Sequence, residues 1–531
     1  MLQLTDHQQK ALQIIAENQL VLLHGVTGSG KTEVYIRAAR QAVDAGQQVI
    51  VLVPEISLTP QTVERFSLHF KTAVIHSHLS RKQRVGEWQK ILNGDVEVVI
   101  GARSALFAPV KNLGLIVLDE EHDPSFKQDV HPHYHAREVA IKRAELTGAK
   151  VILGSATPSL ESYFRAVAPT TPPQILRSAA QNDVSFTPET RWQLAELPER
   201  IDHRPLPPVE IADMREELKS GNRTVLSRRL KEELKKTIAE GKQAILFQNR
   251  RGFSTFLLCR ECGLVVECPK CAVSMTYHKD GKTRCHYCGH EAEVPPVCPQ
   301  CTSKYFRFFG TGTQKVESEL TAMFPDVKVI RMDKDTTGKK NAHARLLGEF
   351  AAGEGGILLG TQMITKGFDF PNVRLVGVIS ADTALNLPDF RAAERTFQLL
   401  TQVSGRAGRS KETKDSMVIV QTYHPDHYAI QAAAGHDYQK FYLQEMDFRR
   451  ELEYPPFTNQ VLITVSSRNK KAASEVIPGL IPAPISRLRG EYRFQRLLEV
   501  GEIPDEELEK LSDLNIPGIK IDIDIDPVNM M

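Results

Sequence analysis

The chain has 531 residues, 41% hydrophobic and 25% charged, with a formal net charge of +2. This composition excludes a disordered chain, and apolar runs as short as residues 19–23 and 96–100 exclude a helical membrane span. The balanced charge excludes nothing, because a basic groove can sit within a neutral total. At about one domain per 150 residues, three or four domains are expected. Residues 1–7 lack a basic region followed by an apolar core, so no signal peptide is expected and the location reads as cytoplasmic.

In chain order, a first helix is predicted over residues 6–17, capped by Thr5 or Asp6. From it, Gln8 or Gln9 either meets an adenine edge or is simply solvated. Residues 19–23 read as a buried strand, residues 33–45 as a helix closed by Gly46. Between them Gly25-Val26-Thr27-Gly28-Ser29-Gly30-Lys31-Thr32 fits G-x-x-x-x-G-K-[ST], the loop that cradles phosphates. Gly25, Gly28 and Gly30 free the backbone to turn its N–H groups toward an anion, Lys31 reaches the outer phosphates of ATP, and the Thr32 hydroxyl suits Mg²⁺.

Strands follow at residues 48–53, 72–75, 96–100, 113–118 and 151–153, with a helix over 81–92. Alternating strands and helices imply a parallel sheet with active residues at strand C-termini. Two motifs fall there: Asp119-Glu120-Glu121-His122 and Gly154-Ser155-Ala156-Thr157. Asp119 suits Mg²⁺, and Glu120 the polarisation of an attacking water.

Residues 167–209 hold eight prolines and no sustained period, and read as a linker or surface excursion. A helix over 227–240, capped by Ser227 and closed by Gly241, opens a second α/β unit with strands at 243–247, 327–331, 356–359, 375–380 and 417–421. Beyond residue 454, strands are expected at 461–465 and 519–525. The alternation in the latter puts Asp522, Asp524 and Asp526 on a solvated face in preference to a metal site. The domains read as 1–166 for lobe one, 167–224 for the linker, 225–258 with 302–453 for lobe two, 259–301 for an inserted module, and 454–531 for a C-terminal domain.

All eight cysteines lie in that insert, as the C-x-x-C pairs Cys259/Cys262, Cys268/Cys271, Cys285/Cys288 and Cys298/Cys301. Two such knuckles complete one tetrahedral Cys₄ site, so four make two structural zinc sites with no open coordination position. Redox chemistry needs only one pair. Sequential, interleaved and nested pairings are all open by spacing. An insert between two strands must bring its ends together, and joining first with last and the inner two with each other meets that need most directly.

Gln402-Val403-Ser404-Gly405-Arg406-Ala407-Gly408-Arg409 supplies two guanidinium forks for a γ-phosphate, Arg406 and Arg409, with Gln402 among the nucleotide-binding residues. Together with the phosphate loop, Asp119–His122 and Gly154–Pro158, it falls in an order that resembles superfamily 2 helicases. The loops 101–107 and 360–370, with Arg103 and Lys366, suit sugar-phosphate contacts. Residues 123–137 interleave Phe126, Tyr134 and three histidines with Lys127 and Arg137. They read either as a base-stacking loop or as an ordinary ordered one, with a histidine metal site disfavoured.

The eight-cysteine insert, with Val53-Pro54-Glu55-Ile56-Ser57-Leu58-Thr59, Phe247-Gln248-Asn249-Arg250-Arg251-Gly252, Gly310-Thr311-Gly312-Thr313-Gln314 and Lys366-Gly367-Phe368-Asp369-Phe370, narrows the likeness. Nearly the whole chain resembles the primosomal protein N′ (PriA) family of bacterial replication-restart helicases. The resemblance implies an α/β protein of two RecA-like lobes with parallel sheets, a two-zinc insertion in the second, and a small α/β C-terminal domain that contacts DNA. It implies a 3′→5′ ATP-dependent DNA helicase using ATP, Mg²⁺ and two Zn²⁺, nested zinc pairing, and DNA binding by the aromatic-rich loop. Its implied partners are single-stranded and branched DNA, primosome proteins, single-stranded DNA-binding protein and the machinery that loads the replicative helicase, with nucleoid association and no membrane. Family members usually begin with a module that captures a 3′ end and a winged helix. With 24 residues before Gly25, both are expected to be missing here. The stretch 168–196 looks longer, and 468–482 shorter, than the family pattern. A zinc scaffold with dispensable ATPase and an RNA helicase are the alternative readings.

Overall fold

The computed structural model describes residues 3–54, 60–77, 79–167, 192–201, 203–248, 256–278, 281–308, 313–337, 342–353, 356–361, 364, 370–407, 415–502, 511, 514 and 516–529. They form two compact units, 1–205 and 206–531.

The first unit is built on seven strands: β1 (Leu20–Gly25), β2 (Gln48–Leu52), β3 (Thr72–Ile75), β4 (Val98–Gly101), β5 (Leu113–Asp119), β6 (Lys150–Ser155) and β7 (Gln193–Leu197). Their order is β3-β4-β2-β5-β6-β1-β7, and every pairing is parallel. Continuous apolar runs such as Val49–Leu52 and Leu115–Leu118 are buried, as strands covered on both faces require. The helices Asp6–Glu17 and Lys31–Asp44 pack Ala11, Ile15, Val34 and Ala38 against one face. Thr5 and Gln8 form a capping box at the first helix. The order places the C-terminal ends of β5, β6 and β1 side by side, which is what gathers the motifs.

The expected linker over 167–224 needs correction. Residues 168–191 lie outside the described residues, but Gln193–Leu197 is the edge strand β7, paired with β1, and Val209–Asp213 is an edge strand of the second sheet. Prolines at 198, 205, 207 and 208 flank these short strands, where edge positions tolerate them. Their density hid the strands.

The second unit has β8 (Val209–Asp213), β9 (Gln243–Phe247), β15 (Val329–Met332), β16 (Ile357–Gly360), β17 (Val373–Val378) and β18 (Met417–Thr422), in the all-parallel order β15-β16-β9-β17-β18-β8. Between β9 and β15 lies the insert. Its ends, β10 (Leu257–Cys259) and β14 (Phe306–Phe308), pair antiparallel, and β11 (Thr276–Tyr277), β12 (Lys282–Arg284) and β13 (Glu291–Glu293) form a small meander. The C-terminal domain is an antiparallel sheet β20-β21-β19-β22, from β19 (Gln460–Ser467), β20 (Ile481–Leu488), β21 (Glu491–Glu499) and β22 (Ile519–Ile525). Ile519, Ile521 and Ile523 pack toward its core, as the alternation requires. No described helix is long and apolar enough to cross a membrane.

A buried cation ties the helix Ala392–Ser404 to the start of this domain. Arg449 is 1% exposed; it donates to Glu394 at 2.6 Å, to Glu445 at 3.0 Å and to the Pro455 carbonyl at 3.0 Å, and it lies over Phe390. Removing one partner from such a group strands the others in low dielectric. Arg449→Ala is expected to cost about 3–5 kcal/mol, as measured by urea unfolding. A loss under about 1 kcal/mol, the range of an exposed pair, would show that the network does not bear on stability.

Candidate nucleotide site and metal centres

β1 ends at Gly25 and the chain turns through residues 26–30 into the helix Lys31–Asp44. Gly28 and Gly30 take left-handed φ values of 89° and 81°, which glycine alone adopts freely. Gly30 caps the helix without a side-chain hydrogen bond, so the first helical N–H groups lack partners inside the helix and can face an anion. A Cβ at Gly25 would stand 2.6 Å from Ser29 Oγ. Lys31 Nζ donates to the Gly25 carbonyl at 2.7 Å, keeping the ammonium at the loop, and Thr32 follows half-buried. Gln8 fits neither of its sequence readings. It is 2% exposed, its Oε1 accepts from the Thr5 N–H at 3.0 Å, and its Nε2 donates to the Ser29 carbonyl at 3.0 Å. It is a strut for the loop, while Gln9 is exposed.

Asp119 ends β5 with Gly154 of β6 opposite it. Tyr35, from the helix after the loop, donates its hydroxyl to Asp119 Oδ1 at 3.0 Å. Burial, then the charge of Glu120, pushes the Asp119 carboxyl up to about 6, against the pull of Lys31. Glu120 sits at a left-handed φ of 54°. Glu121 turns inward, 1% exposed, and accepts from the Ser159 N–H at 2.6 Å and from Ser162 Oγ at 2.8 Å, with Arg137 at 3.5 Å. His122 Nδ1 lies 2.7 Å from Ser155 Oγ, linking the two strand-end motifs. Of three consecutive acids, two stand at the strand end and one is structural. The sequence carried no signal for Tyr35, whose partner lies 84 positions away.

In the second unit Gln402 lies half-buried on the helix Ala392–Ser404. Arg406 is just past its end, on a turn where its N–H donates to the Val403 carbonyl at 3.0 Å. Arg409 and Lys366 lie outside the described residues.

The aromatic loop differs from expectation. Arg103 is turned inward: its guanidinium donates to the Ser125 carbonyl at 2.7 Å and to that of Lys127, and lies 5.8 Å from the Tyr134 ring. Phe126 is 1% and Lys127 5% exposed, so both side chains are interior, as the reading of an ordinary ordered loop has them. The loop doubles back, bridging Lys127 to His135 and donating the Gln128 N–H to the Tyr134 carbonyl at 2.8 Å, and this folds both side chains inside. Tyr134 stays partly exposed, edge-on to Phe107 at 5.3 Å, and Phe107 is 51% exposed.

The cysteines form two clusters, Cys259/Cys262/Cys298/Cys301 and Cys268/Cys271/Cys285/Cys288, each with all sulfurs within 4.8 Å of one another. The pairing is nested. Sulfur separations of 3.5 Å (Cys259–Cys301), 3.6 Å (Cys262–Cys298) and 3.6 Å (Cys268–Cys288) match the edge of about 3.8 Å of a tetrahedron with Zn–S bonds of about 2.3 Å. Hydrogen bonding from Cys271 holds the Cys285 thiol down at about 5, while the same contact pushes Cys271 up. Four thiolates this close repel unless a cation takes their charge, so the donor set fits zinc.

Two parallel-sheet lobes with this loop, these strand-end carboxylates and a two-metal insert define a protein of the two-lobed, RecA-like helicase class. Three family models match: DEAD/DEAH box helicase over residues 5–165, PriA DNA helicase Cys-rich region domain over 268–292, and Helicase conserved C-terminal domain over 304–411. Replication restart protein PriA of Bacillus subtilis (strain 168) is 51% identical over 94% of this chain and 62% of its own length. That of Synechocystis sp. is 47% identical over 99% and 65%, and that of Treponema pallidum (strain Nichols) 39% identical over 99% and 80%. The chain belongs to the PriA family of replication restart proteins. It spans less than two thirds of the length of the Bacillus and Synechocystis proteins.

Zinc analysis is expected to find two ions per chain, and Cys268→Ser to lower the count to about one with the other centre retained, since each cluster is self-contained. Equal loss from both centres would contradict the nested assignment. The raised Asp119 carboxyl predicts a pH effect of definite sign. With a folded value near 6 and an ordinary value of 3.8, its contribution is fully present below about pH 4 and is lost as pH rises through about 6. In divalent-free buffer, Asp119→Asn is therefore expected to gain stability over the unmodified chain on going from pH 4 to pH 7, by about 2 kcal/mol, as read by urea unfolding at both pH values. An unchanged difference would mean the carboxyl titrates normally.

Proposed function

We propose that this chain is the motor of an ATP-dependent 3′→5′ DNA helicase that acts at stalled or branched replication forks and starts primosome assembly. The observation that carries the reading is the phosphate loop at the end of β1, with Asp119 and Glu120 at the end of β5, two strands away across β6. Lys31 neutralises the outer phosphates, while Thr32 and Asp119 would hold Mg²⁺, whose positive charge would offset the charge developing on the phosphates. Glu120 orients and polarises the attacking water, and Arg406 and Arg409 stabilise charge on the transferred group. Tyr134 offers an aromatic face to single-stranded DNA, with exposed Phe107 beside it. Lys366 belongs to the loop proposed to touch the backbone.

The working partners under this reading are single-stranded and branched DNA, single-stranded DNA-binding protein, primosome proteins and the loading machinery of the replicative helicase, in the nucleoid-associated cytoplasm. Single-stranded DNA is expected to stimulate ATP hydrolysis, and Lys31→Ala to reduce the stimulated rate by at least about 10²-fold, the scale of losing a charge that stabilises the transition state. Turnover indifferent to DNA, or stimulated more by RNA, would sink the reading. The measurement is steady-state phosphate release with each oligonucleotide.

A further inference from the structure

A phosphate loop that faces N–H groups to its ligand must satisfy its carbonyls elsewhere. Three successive carbonyls here are met from outside the loop. Thr27 O accepts from Arg200 Nε at 3.2 Å, Gly28 O from the Ile201 N–H at 3.2 Å, and Ser29 O from Gln8 Nε2 at 3.0 Å. The Val26 N–H donates to the Leu197 carbonyl at 3.1 Å, so the stretch leaving β7 runs along the loop from its start. Arg200 is 7% exposed, and its stem lies 3.4 Å from where a Gly28 Cβ would stand. A Cβ on Gly30 would collide with Gln8 and lie 2.7 Å from Ile201 Cδ1.

We propose that Arg200 is a positioning residue for the nucleotide's phosphates. It does not touch them. It draws the Thr27 carbonyl outward with a charge-assisted bond, stronger than a neutral one, and so fixes the peptide planes whose N–H groups meet the ligand. Its charge, held behind the loop, also favours an anion in front. This rests on the nucleotide reading of the loop.

The test is equilibrium titration of the full chain with a fluorescent ADP analogue, then competition by ATP and by adenosine. Arg200→Ala is expected to weaken ATP about tenfold, the scale of one charge-assisted hydrogen bond, with adenosine unchanged. Arg200→Lys, which keeps a donor, should recover most of that loss. Glu199→Ala, an exposed neighbour, should match the unmodified chain. Thermal melting of each variant separates misaiming from unfolding. ATP affinity within about twofold of unmodified in Arg200→Ala, or an equal loss for adenosine, overturns the proposal. If the unmodified chain prefers ATP over adenosine no more than Lys31→Ala does, the nucleotide reading itself fails and takes the proposal with it.

Discussion

The contact on which the first lobe's chemistry depends is the hydrogen bond from Tyr35 to Asp119, made possible by a missing side chain at Gly154. Any Cβ at 154 would occupy the place of the Tyr35 hydroxyl. Three elements therefore meet at one point: the helix that follows the phosphate loop, the strand that carries Asp119, and the strand that leads into Ser155 and Thr157. A displacement of any one is felt by the others, because Tyr35 is buried and has no room to swing. The loop and the carboxylate are thus held in fixed relation by packing, although no side chain of the loop itself contacts Asp119 through a described hydrogen bond.

Much of this was legible in the sequence, and the boundary of legibility has physical reasons. A phosphate loop is a local object, written in eight consecutive residues, and its strand and helix could be read from either side. Buried parallel strands announce themselves as β-branched runs, so β2, β4, β5, β9 and β18 fell where periodicity put them. The cysteine spacing named the metal ligands, and closure of the insert's ends by β10 and β14 is why the nested pairing is the one adopted. What stayed hidden is non-local. Tyr35, Arg200 and Gln8 act through partners that only folding brings near. The aromatic loop misled because composition reports side-chain type and not direction. Phe126 and Lys127 look like ligands for DNA in one dimension and are interior in three.

The insert shows a related economy. Its inner cluster packs with Tyr287, Phe390, Tyr454 and Leu462, so the knuckles are joined by apolar contact to the segment before the helix Ala392–Ser404, through Phe390, and to the C-terminal domain. Tyr454 stacks on Phe390 at 4.6 Å and donates to the Cys271 carbonyl at 2.8 Å. Metal held here orders the junction as well as the insert, because the residues between the ligands are themselves the packing surface.

The three acids after β5 show how one strand end divides its labour. Glu121 is fully committed, to two serines and an arginine, and contributes rigidity. Asp119 is half-buried and accepts a hydrogen bond from the Tyr35 hydroxyl, and desolvation together with the charge of Glu120 makes its carboxylate costly to ionise. Glu120 adopts a left-handed backbone conformation that costs a non-glycine residue about 1 kcal/mol or more. That strain takes the chain out of the strand's alternation, which would otherwise put Glu120 on the face opposite Asp119 and Glu121 on the same face as Asp119. Glu120 is therefore where this strand end departs from regular structure.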